Sequence, residues 1–340
     1  GLTPIEKSTR YVNYSQKING RYLYYTDPTL ADYGLKEEYE QTMDNLFDTY
    51  SRLLPRLTAW LAEHFPQEKA GVREKKAFDT LRGLLPSSAL SQVAFFGNGQ
   101  AFEYLVTRSL AHGLGEIRWT GERAYQELFR LAPAFLHRIK DETKQEFVQE
   151  YQRYIAQRPA RMQRFAEKIM GEQVTAVSRP EVRLVEYDPQ GEIKIITSML
   201  YDARGCHRSW QEVRDAVSRM NTEERCEVID EYLKGRRERW QRVGRAFESA
   251  YNRFEIVMNI GAWRDLHRHR MLTQQRQLFS CYHGYDVPPE IIASGLEPEF
   301  RSALERAGEL FANIVPHDPE LAQYATALAY RLRFTQWENL

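Results

Sequence analysis

Apolar residues recur every three or four positions over residues 35–64, which is the spacing of one face of an α-helix. The apolar face runs from Leu35 to Leu61 and includes Pro55, which we expect to kink the helix. Similar spacing predicts further helices over residues 73–85, about 98–115, 121–131 and 141–168. The first half of the chain is therefore predicted to be mainly helical.

The pattern changes near residue 178. Residues 182–187 and 193–199 are apolar and β-branched, and residues 188–191 between them have the composition of a tight turn. We therefore expect a pair of strands there, opening a second unit. Residues 210–253 then return to a charged, helical pattern.

A weak internal repeat links the two halves of the chain. The sequence of residues 34–39 resembles that of residues 295–300, and the same offset aligns Tyr50 with Phe311. Two helix starts can look alike by chance, so this repeat alone leaves duplication and coincidence equally open.

Composition narrows the class of protein. A chain of 340 residues can bury a sizeable core, as two domains or two repeated units. Its 47 basic and 47 acidic residues cancel, which disfavours binding to nucleic acid or to a membrane surface. No apolar run approaches the roughly 20 residues of a membrane span. Three isolated cysteines without CxxC spacing indicate a reducing, cytoplasmic setting and no structural zinc; they are Cys206, Cys226 and Cys281.

Near the start of the chain, Glu6, Ser8 and Arg10 alternate with other residues. In an extended segment such side chains share one face. A carboxylate, a hydroxyl and a guanidinium on one face could bind a phosphate and a pyrimidine edge. The alternative is an ion pair at the edge of a strand.

Two guanidiniums flank an imidazole at Arg268, His269 and Arg270. Arginine matches phosphate oxygens two at a time, so this triplet suits a diphosphate. The alternative is a solvated basic turn or a hub of ion pairs. His267 and His269 have no acidic or cysteine partner at ligand spacing, so we expect no metal.

Arg108, His112 and Glu116 are spaced by four, which predicts one polar stripe on a helix. Ionisable groups among apolar neighbours need partners, and a ligand and an inter-helix ladder of ion pairs are equally open. No spacing supports a paired-carboxylate, Ser/His/Asp or Cys/His arrangement, so we assign no nucleophile.

Together these residues resemble the flavin-dependent thymidylate synthases. That family carries R-H-R-x-x-S-x-N-E-x-S-x-R-Y, then an Arg before Leu-Pro, an Asn, and R-x-x-x-H-x-x-x-E-I. Arg82 precedes a Leu-Pro pair, Asn98 follows, and residues 108–117 fit the last motif. The resemblance implies two tandem thymidylate-synthase-complementing-like units, residues 1–175, incomplete at the N-terminus, and 176–340, incomplete at the C-terminus. The implied fold is α+β, predominantly helical, with a small antiparallel sheet in each unit.

The two units match the signature differently. In the first, Thr3 takes the Ser place and Ile5 the Asn place, and the rest matches as written: Glu6, Ser8, Arg10 and Tyr11. The second unit has the R-H-R triplet and Thr273, and then departs from the signature at Gln275, Arg276, Leu278 and Ser280. Gln323 stands where the Arg before Leu-Pro is expected.

The resemblance implies that reduced FAD, with NADPH as reductant, transfers a methylene group from methylenetetrahydrofolate to dUMP, giving dTMP. The protein would be an FAD-dependent methyltransferase that works by positioning and electrostatics. The residues implied for dUMP are Glu6, Ser8, Arg10, Arg82 and Arg108. Those implied for FAD are Arg268, His269, Arg270, Asn98 and His112.

The family is a homotetramer with sites between subunits, so a fused pair of units implies a homodimer that forms a pseudo-tetramer. Two other functions stay open. A diverged, non-catalytic homologue could bind flavin or nucleotide as a scaffold or regulator, which the changes at Arg276, Leu278 and Ser280 favour. The other is a helical interaction module that binds no ligand.

Overall fold

A computed structural model of the chain describes residues 2–140, 145–171, 175–269 and 271–339, with the side chains of 145–149 excluded. The helices are α1 Thr29–Asp32, α2 Lys36–His64, α3 Ala70–Leu81, α4 Gly99–Leu110, α5 Gly115–Leu131, α6 Pro133–Leu136, α7 Gln145–Met170, α8 Gly191–Tyr201, α9 Trp210–Arg219, α10 Thr222–Leu233, α11 Ile260–Leu266, α12 Pro289–Ala293, α13 Glu297–Ile314 and α14 Pro319–Ala322. The strands are β1 Thr3–Glu6, β2 Val93–Phe96, β3 Glu181–Tyr187, β4 Asn252–Asn259, β5 Thr273–Arg276 and β6 Arg331–Glu338.

These elements confirm the predicted fold class, which is mainly helical with small antiparallel sheets. Contacts divide the chain into two compact units. Unit 1 comprises Gly1–Ser178, Asn259–Gly261 and Leu278–Arg331, and unit 2 comprises Arg179–Met258, Ala262–Gln277 and Leu332–Leu340. The predicted boundary between residues 175 and 176 concerns a repeat in the sequence and stays a prediction.

The core of unit 1 is built on α2, which packs against α3 and α13. The helix predicted over residues 35–64 is confirmed, and it runs through Pro55 without ending. Its apolar face is fully buried, as is that of α13. Burying one such leucine or phenylalanine contributes about 1.5–3 kcal/mol, so this face holds unit 1 together.

Helices α2 and α13 begin from the same kind of turn. Gly34 and Gly295 precede them with φ values of +71° and +69°. These values favour glycine because a side chain would clash with the backbone. In each case the next residue, Leu35 or Leu296, donates its N–H to a carbonyl of the short helix before it, at 2.9 and 3.0 Å. The two segments that read alike in sequence therefore fold alike locally.

Two antiparallel strand pairs also correspond. Strand β1 pairs antiparallel with β2 in unit 1, and β5 pairs antiparallel with β6 in unit 2. Thr3 and Thr273, which both take the Ser place of the signature, open the first strand of each pair. The registers are Thr3 with Phe96 and Glu6 with Val93 in one pair, and Thr273 with Trp337 and Arg276 with Phe334 in the other.

Unit 2 holds most of a four-stranded sheet in the order β3-β4-β6-β5, together with helices α8 to α10. The predicted strand over residues 182–187 is confirmed as β3, but the strand predicted over 193–199 is wrong, because this segment lies in α8. The partner of β3 is β4 instead. Ile195, Ile196 and Met199 are buried on α8 against other helices and turns of the unit, which outweighs the strand preference of isoleucine. No helix in the described ranges is long and apolar enough to cross a membrane.

Candidate functional site

The segment that joins α4 to α5 carries His112. The predicted helix over residues 98–115 ends early, because α4 stops at Leu110 and α5 begins at Gly115. The expected single stripe of Arg108, His112 and Glu116 is therefore wrong. Arg108 lies in the last turn of α4, and Glu116 lies in the first turn of α5.

Hydrogen bonds fix this connecting turn. The backbone N–H of Leu114 donates to Nδ1 of His112 at 3.0 Å. The guanidinium of Arg118 donates to the carbonyls of His112, at 2.7 Å, and of Gly113. A side chain at Gly113 would overlap the carboxylate of Glu320, so glycine permits the close approach. The turn thus presents His112 with its ring orientation set by the backbone.

A cavity of about 1050 Å³ in unit 1 brings together three of the predicted site residues, Asn98, Arg108 and His112. Asn98 lies at the start of α4, Arg108 near its end and His112 just after it. Sequence reasoning missed several other side chains that line the same cavity, among them Glu103, Tyr104, Arg138, Tyr151, Arg158 and Glu320.

The arginines that line the cavity differ in whether a carboxylate pairs with them. The Arg108 guanidinium donates to the Tyr104 hydroxyl at 2.7 Å and lies 5.4 Å from the centre of its ring. Arg138 is paired with Glu103 at 2.8 Å. Among the residues that the structure describes, Arg108 has no carboxylate partner. Its charge is therefore not neutralised by a described carboxylate.

Asn98 has a structural role as well. Its side-chain oxygen accepts the N–H of Ala101 at 2.9 Å and caps the start of α4. This bond leaves the amide NH₂ group as a donor at the cavity.

Arg10 and Arg82 meet on a single carboxylate that sequence reasoning missed. Arg10 binds both oxygens of Asp79, at 3.0 and 3.1 Å, and Nε of Arg82 lies 3.2 Å from the same carboxylate. The spacing of Asp79 and Arg82 by three on a helix was the available signal.

Glu6 and Ser8 lie on the segment that leads to Arg10. Glu6 ends β1, and Oγ of Ser8 accepts the backbone N–H of Arg10 at 3.1 Å. The residues predicted for dUMP thus fall into two groups. Glu6, Ser8, Arg10 and Arg82 belong to the β1 segment and the end of α3, whereas Arg108 lines the cavity.

The position equivalent to Arg82 carries a neutral side chain in the second half of the chain. Gln323 begins a single helical turn, Gln323–Ala325, just as Arg82 begins the turn Arg82–Leu84. Gln323 is buried, accepts the N–H of Phe279 at 3.1 Å and donates to the carbonyl of Glu320 at 3.1 Å. Its amide is thus committed to the backbone rather than to a ligand.

The basic triplet lies after α11, in unit 2. Arg268 and His269 are exposed, and their N–H groups donate to the carbonyls of Asp265 and Leu266 at 3.3 and 3.0 Å. Arg270, the third member, lies outside the described residues. The other residues predicted for FAD, Asn98 and His112, belong to unit 1.

Glu116 accepts a hydrogen bond from a tyrosine in the second half of the chain. The Tyr324 hydroxyl donates to Oε2 of Glu116 at 2.7 Å, and burial together with this carboxylate raises the pKa of Tyr324. The ring centres of Tyr25 and Tyr324 lie 5.3 Å apart, and the Tyr25 hydroxyl donates to Asp27 at 3.2 Å. Burial and then Asp27 raise the pKa of Tyr25 to about 12. This cluster anchors the start of α5, next to the turn that carries His112.

Known proteins resemble this chain over most of its length. The model of a family described as thymidylate synthase complementing protein matches residues 3–134 and 183–340. A UPF0159 protein of Chlamydia pneumoniae is 35% identical over 345 residues, covering 98% of this chain and 63% of that protein. A UPF0159 protein of Chlamydia muridarum is 34% identical over 341 residues, covering 98% of this chain and 64% of that protein. The chain thus spans somewhat less than two thirds of the length of these relatives.

Two solved structures are more distant. A UMP/dUMP methylase, PolB of Streptomyces cacaoi, bound with 5-Br dUMP, has a TM-score of 0.35 and 15% identity, covering 49% of this chain and 76% of that one. The flavin-dependent thymidylate synthase ThyX of Helicobacter pylori, complexed with FAD and dUMP, has a TM-score of 0.32 and 16% identity, covering 47% of this chain and 78% of that one.

Proposed function

Because the chain belongs to the thymidylate synthase complementing protein family, we propose that it binds dUMP and FAD and reductively methylates dUMP to dTMP. Methylenetetrahydrofolate would donate the one-carbon group, and NADPH would be the reductant. One observation carries the proposal. Asn98, Arg108 and His112, which match the family's motifs, line one large cavity of unit 1.

Arginine side chains support binding of the nucleotide. Arg108 has no carboxylate partner among the described residues and lies over an aromatic ring, so it can pair with a phosphate or a uracil carbonyl. Arg10 and Arg82 are held side by side by Asp79, so two guanidiniums lie close together. Glu6 and Ser8 would orient the substrate from the same segment. These are electrostatic and positioning roles, and the protein supplies no covalent nucleophile.

The residues at the cavity fit a flavin nucleotide. A volume of about 1050 Å³ is at the upper end of the roughly 300–1,000 Å³ typical of ligand pockets. The Asn98 amide can donate a hydrogen bond, and the His112 ring is held by a backbone N–H. FAD would supply the redox chemistry of the methyl transfer. Arg268, His269 and Arg270, in unit 2, are the residues to which the family motif assigns the diphosphate of FAD.

We further infer that the chain is a tandem duplication. The matching turns at Gly34 and Gly295 and the two corresponding antiparallel strand pairs support this. A fused pair of units would then assemble as a homodimer, where single units would need a tetramer. The three unpaired cysteines support a reducing, cytoplasmic setting.

A non-catalytic homologue that binds flavin or nucleotide as a scaffold or regulator is the alternative. The second half of the chain favours it, because Gln323 replaces an arginine and is bonded to the backbone. Leu278 and Ser280 likewise stand where the family has Ser and Arg. In a duplicated chain, however, the second copy can lose its site residues while the site of the first copy stays intact.

Replacing Arg108 tests the proposal. We expect Arg108→Ala to weaken dUMP binding at least tenfold, about 1.4 kcal/mol, since a charge-assisted hydrogen bond is lost. FAD binding should remain. Arg123→Ala is the matched control, because Arg123 is an exposed arginine of α5 that does not line the cavity. Isothermal titration calorimetry measures both ligands, and unchanged dUMP affinity in Arg108→Ala would refute the assignment.

A further inference from the structure

Helix α7 belongs to the cavity but not to the part of the chain that the family model matches. The matched segments end at residue 134 and resume at residue 183, and α7 spans Gln145–Met170 between them. Tyr151, Ile155 and Pro159 are spaced by four along α7, and all three line the cavity. This helix therefore gives the cavity a wall that the family's matched core lacks.

The wall carries a cation. Arg158 lines the cavity, and its guanidinium lies 5.5 Å from the centre of the Tyr154 ring. Within the described residues, no carboxylate pairs with Arg158. Arg138, by contrast, is neutralised by Glu103. Among the described residues, two guanidiniums of the cavity therefore have no acidic partner, Arg108 on α4 and Arg158 on α7.

Apolar groups make up much of the remaining lining. Ile155, Ala156 and Pro159 come from α7, and Ile117 and Ile139 from other elements. Such a surface suits a flat aromatic body, and a guanidinium suits a phosphate or carboxylate at its end. The volume lies at the upper end of the range typical of ligand pockets, which leaves room for an elongated molecule.

We propose that α7 adds a second anion-binding subsite, centred on Arg158, for the anionic end of an elongated aromatic ligand. This inference rests on the proposed function. One ligand of that function has the required chemistry: the folate, whose aromatic part continues into glutamyl carboxylates. The diphosphate of FAD, by contrast, is assigned to the basic triplet of residues 268–270. Arg108 would bind the nucleotide substrate, and Arg158 would bind the tail of the second molecule.

Pairs of ligands with and without the anionic tail test the subsite. Dissociation constants are measured for FAD and riboflavin, for folate and pteroate, and for dUMP, with wild-type protein, Arg158→Ala and Arg158→Lys. Arg161→Ala is the control, since Arg161 is an exposed arginine of α7 that does not line the cavity. We expect Arg158→Ala to weaken folate about tenfold and to leave pteroate, FAD, riboflavin and dUMP unchanged. Arg158→Lys should retain part of the affinity.

A loss of FAD affinity with folate unchanged would overturn the assignment to the folate tail. The inference is also overturned if Arg158→Ala binds folate like the wild type. It is equally overturned if tailed and tail-less ligands weaken by the same factor, because that reports a general change of the cavity. Wild-type protein that binds neither FAD nor dUMP would overturn the proposed function itself, which is a distinct result.

Discussion

Replacing Gly121 with alanine should destabilise the protein, although alanine is the better helix former. Gly121 is buried in α5, where this helix crosses α4. A Cβ atom placed there would lie 2.6 Å from Cβ of Ser109, 3.2 Å from the backbone nitrogen of Leu110 and 3.3 Å from the carbonyl carbon of Ser109. Non-bonded carbons prefer about 3.5–4.0 Å, so the two helices must separate by about 1 Å. The obstructing atoms include backbone, which cannot rotate aside.

Two opposing effects set the magnitude. Alanine in a helix interior gains about 0.5–1 kcal/mol over glycine, whereas overpacking costs about 1–3 kcal/mol. The clash should win, so we expect the free energy of unfolding to fall by about 1–2 kcal/mol. Gly71→Ala in α3 is the matched control, because no atom lies within 4 Å of the added Cβ. That variant should gain up to about 1 kcal/mol.

Urea denaturation followed by circular dichroism measures both variants. Opposite shifts of the urea midpoint, down for Gly121→Ala and up for Gly71→Ala, are expected. Equal stabilisation of both would refute the close crossing of α4 and α5. Because α4 carries Arg108, the separation should also weaken dUMP binding.

Two further predictions concern the tyrosine cluster. Tyr324→Phe removes the hydroxyl that donates a hydrogen bond to Glu116, which should lower the free energy of unfolding by about 1–3 kcal/mol. Urea denaturation measures this change, and an unchanged midpoint would show that the bond adds nothing to stability. The pKa of Tyr25 is about 12 in the folded protein and near 10 in the unfolded chain, so the folded protein holds the phenol proton more tightly. The protonated Tyr25 therefore contributes its full stabilisation of the fold below about pH 10, and this contribution is lost as the pH rises towards 12. Urea midpoints taken at several pH values from 9 to 11.5 should therefore fall, and fall less steeply in Tyr25→Phe; identical slopes in the two proteins would contradict this.

Long periodic helices were predictable from the sequence. Helix α2 was found within one residue of its predicted start, and its period of three or four reflects a face that is buried along the whole helix. The run of isoleucines over residues 193–199 was misread, because burial against neighbouring helices decides its conformation rather than local preference. The break between α4 and α5 was missed although Gly113 and Gly115 mark it.

The candidate site was predictable residue by residue but not in its arrangement. The motifs select Arg10 and Arg82, yet nothing in their spacing shows that Asp79 holds both. The bond between Tyr324 and Glu116 joins positions that are 208 residues apart. Contacts at such separations follow from tertiary packing, which periodicity and motif spacing do not encode.

Formation of dTMP from dUMP tests thymidylate synthesis most directly. The purified chain is incubated with dUMP, FAD, NADPH and methylenetetrahydrofolate, and dTMP is quantified by chromatography. We expect product that requires all four compounds, is reduced about tenfold or more in Arg108→Ala at limiting dUMP and is retained in Arg123→Ala. Binding of dUMP and FAD without any dTMP would contradict catalysis and favour the non-catalytic homologue.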